Sequence, residues 1–254
     1  MTDILYSVGP DSGHGNQELA WSLAGLKRYA KHLGRVVVAG YPPAWLPSWV
    51  ERFPFERIPE HSNYFNLFEC VMAAIDAGAV RGEFLYSSDD HFLSMPFDCD
   101  AVPFWRRQSN PVIRSLPEAR AAGRPCNNFD KMMAQTREVL LANGYGIVRC
   151  NVHKMTRIRC DEAAEARRLA ESAPDKYFGV ELTCVFQNIR ARKENIVWTW
   201  DPKDWKLYRF DPEAVASGQF SCADAAFADP RFLEYMDMTY GDCCRAAPEP
   251  APGA

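Results

Sequence analysis

The chain lacks any hydrophobic run near the ~20 residues that a membrane-spanning helix needs, and its opening, Met1-Thr2-Asp3-Ile4-Leu5-Tyr6, lacks the basic-then-apolar order of a secretory signal. A soluble protein is expected. Basic charge is not in surplus: 29 Lys and Arg stand against 33 Asp and Glu, a net charge of -4. That argues against nucleic-acid affinity by broad phosphate neutralisation but leaves room for a local basic groove. The cysteines lack CxxC pairs, their count of nine is odd, and Cys70, Cys99, Cys126, Cys150, Cys160, Cys184 and Cys222 are scattered. Packing thiols in a reduced, cytoplasmic setting are expected. There is no internal repeat.

What is present suits a single α/β unit: 254 residues, 47% of them hydrophobic, bury a large core as one domain or one domain with an appendage. Ile4-Leu5-Tyr6-Ser7-Val8 reads as a buried strand running into the breaker-rich loop Gly9 to Gly15. Asn16 can cap a helix to about Leu33, with Leu19, Leu23, Leu26 and Ala30 at helical spacing and Gly34 ending it. Arg35 to Ala39 is a second strand, which completes a βαβ unit and implies a parallel pair. Phe55 to Ile58 is expected as a short strand, Asn63 or Asn66 to about Ala77 as a helix, and Phe129 to Asn143 as another helix holding Met132 and Met133 in the core. Between Phe92 and Trp105 an irregular ribbon is expected, broken by Pro96 and Pro103.

After Gly146 the pattern changes. Ile147 to His153 resembles a strand ending in a polar site, and Asp161 to Ser172 an exposed helix. Val180 to Phe186 fits a buried helix turn or a strand equally. Asn195 to Asp201 alternates and Trp205 to Phe210 follows, which suggests a hairpin or paired ribbon. Residues 1–145 are expected to form one half of the domain, 146–244 the other, and the Ala/Pro-rich 245–254 a disordered tail.

Chemistry concentrates where Phe84-Leu85-Tyr86-Ser87-Ser88 stops at Asp89-Asp90-His91. Apolar residues feeding into two carboxylates read as a buried strand that delivers charge to a cleft. Such hard oxygen ligands suit Mg2+ or Mn2+, which in turn can hold a diphosphate. The plainer reading is a solvated Asp-Asp turn. His91 either joins the pair or points away, and His153, after its own strand, is the expected partner ligand.

Taken in order, Asn16-Gln17-Glu18-Leu19 with Ser22-Leu23, Val36-Val37-Val38, Pro47-Ser48-Trp49, Phe65-Asn66 and the run from Phe84 to Leu93 resemble the Stealth sugar-phosphate transferases and, more widely, the GT-A glycosyltransferases. The likeness covers roughly residues 3 to 95, with a fainter echo at Asn151-Val152-His153-Lys154. It departs from the Stealth pattern at Tyr6-Ser7-Val8-Gly9-Pro10-Asp11 and at Ser88, which stands where that family has Asn. The resemblance implies a GT-A-like, Rossmann-type α/β fold: a mixed, mostly parallel sheet flanked by helices, with an irregular C-terminal subregion. It implies a nucleotide-sugar donor near Ser7, Val8, Gly9 and Asp11, and a metal with the diphosphate at Asp89, Asp90 and His153. Residues 1–145 are then the donor half and 146–244 the acceptor side.

A leaving nucleoside diphosphate gains negative charge, which Mn2+ or Mg2+ on Asp90 and His153 would stabilise, aided by Lys154, Arg157 or Arg159. Inversion needs a carboxylate to take the acceptor's hydroxyl proton. Glu181, set among apolar residues, and Asp130, at a helix start, are the candidates, although Asp130 also reads as a helix N-terminal charge. The acceptor is expected to be a hydroxyl of a glycan or of a hydroxymethylated DNA base, in which case Arg149 to Arg168 would line the entrance. Trp198, Trp200, Trp205 and Tyr208 form either an aromatic platform or core. The alternatives are Stealth-like sugar-phosphate transfer and a non-catalytic binding module.

Overall fold

The computed structural model describes residues 1–10, 14–102, 106–107, 112–150, 153–194, 199–200 and 206–244. Its strands are β1 (Thr2–Val8), β2 (Ala30–Lys31), β3 (Leu33–Gly40), β4 (Val50–Pro54), β5 (Glu83–Ser88), β6 (His91–Leu93), β7 (Phe97–Asp98), β8 (Arg106–Arg107), β9 (Thr156–Arg159), β10 (Thr199–Trp200), β11 (Lys206–Leu207) and β12 (Gln219–Cys222). Its α-helices are α1 (Gln17–Tyr29), α2 (Asn63–Asp76), α3 (Leu116–Ala121), α4 (Asn128–Ala142), α5 (Ala163–Glu171), α6 (Leu182–Lys193), α7 (Pro212–Val215) and α8 (Pro230–Cys244).

The central sheet has the order β4-β3-β1-β5-β9, parallel except for β9, which runs antiparallel to β5. Alternation along the strands sorts their side chains onto two faces. Ile4, Tyr6, Val36 and Val38 meet Leu19, Leu23 and Leu26 of α1, whereas Leu5, Val37 and Ala39 meet Phe68, Val71 and Met72 of α2. Each such buried aliphatic side chain contributes roughly 1.5–3 kcal/mol. After β4 the chain returns across the sheet through α2 to lay β5 on the far side of β1, so the strand order reverses at the β1/β5 boundary. The core on the α2 face also takes in α4, α5 and α6, so it crosses residue 145 without a break. A third cluster joins the outer face of α1, through Trp21 and Ala24, to Phe92, Phe220, Phe232, Met236 and Tyr240. It carries the small sheet β11-β12-β6, in which β12 and β6 are antiparallel. The fold is thus mixed α/β, a mostly parallel central sheet flanked by helices.

Several expectations are corrected. The first helix ends at Tyr29, not near Gly34, because Ala30 and Lys31 turn extended to pair with β7; Gly34 lies inside β3, where a side chain would strike Asp3 and Thr2. The third parallel strand is Val50–Pro54 instead of Phe55 to Ile58: its partner β3 stops at Gly40, so nothing remains for residues beyond Pro54 to pair with except Phe55 N to Gly40 O. Among the described residues of the strand expected at Ile147 to His153 there is one isolated antiparallel bridge, Val148 to Val112. The buried amide of Asn188 serves Val148 as a strand would, its Oδ1 accepting from Val148 N at 3.0 Å and its Nδ2 donating to Val148 O at 2.8 Å. Val180 to Phe186 resolves as the start of α6. β10 and β11 do not form a hairpin; each pairs in parallel elsewhere, with β8 and β12. Residues 195–198 and 201–205, with Trp198 and Trp205, lie outside the described residues, as does the tail 245–254. No described helix is long and apolar enough to cross a membrane.

Candidate functional site

A cleft of about 270 Å³ opens at the carboxyl ends of the parallel strands, over the β1/β5 boundary. This is where open α/β sheets bind ligands. Ser7 to Pro10 from the end of β1, Gly40 and Tyr41 from β3, Ser88 and Asp89 from β5, and Arg57 with the first turns of α2 enclose it. Its floor depends on Gly40, whose φ of +99° excludes most side chains and whose Cβ, if present, would lie 2.2 Å from Val8 O. Tyr41 N reaches the same Val8 carbonyl at 3.0 Å.

One wall is electropositive. Ser62 caps α2 by accepting from Phe65 N, and the first turn of the helix holds no acidic residue to offset the dipole. Asn66 fixes that helix start: its amide bonds Ile58 N and O, His61 O and Ser62 O at 2.7–3.1 Å. Arg57 joins this wall, its backbone N–H held by Tyr41 Oη at 3.0 Å. Anions are favoured at such a helix start.

The opposite end is acidic. Asp89 is half-buried, and burial, then Asp90, then Glu18 push its carboxyl up to about 7. Asp90 Oδ1 lies 3.9 Å from Nε2 of the buried His91, whose Nδ1 faces Ser87 Oγ and Ser88 N at 3.4 Å. His91 belongs to β6 and points into the fold beside Ser87. Below them Ser7 Oγ and Tyr86 Oη share a 2.8 Å hydrogen bond, and burial raises the Tyr86 phenol.

The structure brings Ser7, Val8, Gly9 and Asp89 to one cleft, with Asp90 next in the chain. Asp11 lies outside the described residues. His153 and Lys154, both half-buried, precede β9, which starts opposite Tyr86, so they reach the same sheet edge from a loop and not from a strand end. Asp89, Asp90 and His153 do not gather as a three-ligand set. Among the described residues, the groups whose ligand atoms lie within 4.8 Å of one another are His14, Glu18 and Asp224, and His32, Asp98 and Asp100. The first adjoins the acidic end through Glu18. His14 and Glu18 are four positions apart, but Gly15 and Asn16 between them have positive φ, so they are not a helical pair, and Asp224 comes from near the other end of the chain.

Other candidates hold structural posts. Arg157 is buried on the α1 face opposite Leu85, where its guanidinium donates to the carbonyls of Val102, Cys99 and Asp100 at 2.7–3.1 Å. That clamp turns it away from the cleft. Arg159 pairs with Asp161 at 2.8 Å, Arg167 with Asp76, and Arg168 with Asn143 Oδ1, so the stretch expected to line a nucleic-acid entrance is held by the protein's own partners. Glu181 caps α6, accepting from Cys184 N at 2.6 Å and Thr183 Oγ1 at 3.0 Å. Asp130 sits in the first turn of α4, bound by Arg124 at 2.9 Å, and lines a separate cavity. Burial pushes the Cys70 thiol up to about 12, which fits a packing role; none of the seven cysteines named above is in a disulfide. Tyr208 is exposed. No family model matches the chain, and no curated protein matches it.

Proposed function

We propose that the chain is a metal-dependent glycosyltransferase of GT-A-like fold, which binds a nucleotide-activated sugar in the cleft over β1 and β5 and transfers the sugar to a hydroxyl of a glycan acceptor. The observation that carries this proposal is the polarity of the cleft: acidic at Asp89, and lined at the other wall by Arg57 and the uncompensated start of α2. The order β4-β3-β1-β5, with its reversal at β1, also matches the nucleotide-binding half of a doubly wound sheet.

The donor set fits a hard divalent cation. Asp89 and Asp90 offer carboxylate oxygens, and the carboxyl of Asp89 is raised by burial first and then by the negative charge of Asp90 and Glu18, a charge that such a cation would relieve. Mg2+ or Mn2+ there would neutralise charge on the departing diphosphate. The protein's own residues do the rest. Backbone at Val8 to Pro10 lies open to the donor, Arg57 and the α2 amides balance phosphate charge, and the rings of Tyr41 and Tyr64 present faces for a base or sugar.

Thermal shift with nucleoside diphosphates and nucleotide sugars, with and without Mn2+, tests this on the wild type and Asp90→Ala. Metal-dependent stabilisation by one nucleotide, lost in the variant, is expected. No shift with any nucleotide would overturn it. Release of nucleoside monophosphate during turnover would replace sugar transfer by sugar-phosphate transfer.

A further inference from the structure

The acidic end of the cleft borders a side-chain cluster that the donor site does not use. His14, Glu18 and Asp224 each offer one ligand atom, and the three atoms lie within 4.8 Å of one another. Glu18 stands in the first turn of α1, His14 in the turn that leads into it, and Asp224 opens the short 3-10 helix Asp224–Ala228 that follows β12. Phe227 of that short helix lies flat on the His14 ring, centroids 3.8 Å apart and planes 4° from parallel, so the imidazole is held in one plane. Among the described residues no hydrogen bond or ion pair engages the Asp224 carboxylate or the ring nitrogens of His14.

Two features set this cluster apart from a chance meeting of surface acids. Glu18 is only 8% exposed, while His14 and Asp224 are exposed, so a buried carboxylate faces two accessible ligands and an ion can enter from solvent. Trp21 lies three positions after Glu18 on α1 and stacks on Phe227, the same ring that carries His14, with centroids 5.6 Å apart. It is 2% exposed, and its indole N–H is buried without a hydrogen-bond partner among the described residues. Such a donor calls for an oxygen. A cation with three protein ligands keeps an open position that water fills, and metal-bound water supplies that oxygen beside Glu18.

One imidazole nitrogen and two carboxylate oxygens, with no thiolate, suit Mn2+ or Zn2+ better than Mg2+, which prefers oxygen alone. Bonds of about 2.0–2.2 Å put ligand atoms roughly 3–4 Å apart, so the cluster closes on an ion by side-chain adjustments of about 1 Å or less. We infer that His14, Glu18 and Asp224 hold a divalent transition-metal ion, Mn2+ or Zn2+, at a site distinct from the Asp89-Asp90 turn. The ion pins the start of α1 to the segment that follows β12, and so ties the helix layer of the central sheet to the small sheet. This site does not rest on the function proposed above.

The test is titration of the chelator-stripped full chain with Mn2+, followed by calorimetry and electron spin resonance. Wild type and Asp90→Ala are compared with His14→Ala and Asp224→Asn, each placed in the Asp90→Ala background. The Asp90→Ala chain is expected to bind Mn2+ saturably, with the nitrogen coupling of an imidazole ligand in the spin-echo spectrum, and Zn2+ should displace that ion at lower concentration. Adding His14→Ala should remove the nitrogen coupling and weaken Mn2+ by roughly tenfold or more; Asp224→Asn should weaken it by a similar factor and keep the coupling. Both residues are exposed, so neither change threatens the fold. Absent saturable binding in the Asp90→Ala chain, or equal affinity after His14→Ala and Asp224→Asn, would overturn the site. So would loss of the nitrogen signal in His32→Ala in place of His14→Ala, which would put the ion at His32, Asp98 and Asp100. Mn2+ held by His14 without any nucleotide stabilisation would sink the donor proposal alone.

Discussion

Asp89→Asn should stabilise the metal-free protein, and by an amount that depends on pH. Its carboxyl is pushed up to about 7 from 3.8 by burial, Asp90 and Glu18. The native state then holds a proton more tightly than the unfolded chain, so the stability tied to the neutral carboxyl is full below the unfolded pKa and is lost as pH rises through about 7. The whole shift corresponds to about 4 kcal/mol, of which roughly 2.7 kcal/mol falls between pH 5 and pH 8. Because Asp89 is only half-buried, solvent screening reduces that to roughly 1–1.5 kcal/mol. Urea denaturation with chelator present, run on wild type and variant across this range, measures it directly. The stability of the variant relative to wild type should grow from pH 5 to pH 8. A difference that stays flat with pH would refute the idea that burial, with Asp90 and Glu18, raises this group. The same substitution should abolish Mn2+-dependent nucleotide stabilisation, so the residue would trade stability for binding.

Arg190→Ala removes the cation that meets buried Glu162 at 3.0 Å and Glu194 at 2.6 Å, leaving an uncompensated carboxylate; a loss of about 3–5 kcal/mol is expected in denaturant unfolding. Gly40→Ala would place a methyl group 2.2 Å from Val8 O at a φ of +99°, and should lower the melting temperature and abolish nucleotide binding together. Asn188→Ala strips Val148 of both its amide partners and should cost on the order of 3 kcal/mol, with hydrogen-exchange protection lost first at Val148.

Much of the N-terminal half was legible because its signals are local. Short apolar, β-favouring runs placed β1, β3 and β5, helical spacing placed α1, an opening Asn placed α2, and an apolar run stopping at Asp89-Asp90 marked the carboxyl edge where the cleft opens. The positive wall was not legible, since it depends on the direction of α2 and on the hold of Asn66 over residues 58–62. Beyond residue 146 side chains take over work that strands would do elsewhere. The amide of Asn188 substitutes for a strand at Val148, and Arg157, which looked available for phosphate, spends its donors on three carbonyls of residues 99–102. Glu181 looked like a buried base because apolar residues surround it in sequence, but its place at the start of α6 makes it a cap. The His14, Glu18 and Asp224 group joins segments some 200 residues apart, which no spacing rule detects.

The turn Asp89-Asp90 joins two sheets: β5 belongs to the central one, and β6, starting at His91, to the small one. A link two residues long has little slack. Any movement of the small sheet against the central sheet is therefore felt first as a change in the spacing of those two carboxylates. Tyr240 of α8 donates to Leu93 O of β6 at 2.8 Å, which ties the last helix to the far end of β6, and Arg28 donates to Thr239 O at 2.8 Å, which ties it to α1. The two acids are the only residues between β5 and β6. If the cation proposed above binds these two acids, trimming α8 is expected to weaken that binding, by reciprocity, although the helix lies about 140 positions further along the chain; equal Mn2+ affinity in the trimmed chain, measured by calorimetry, would refute the link.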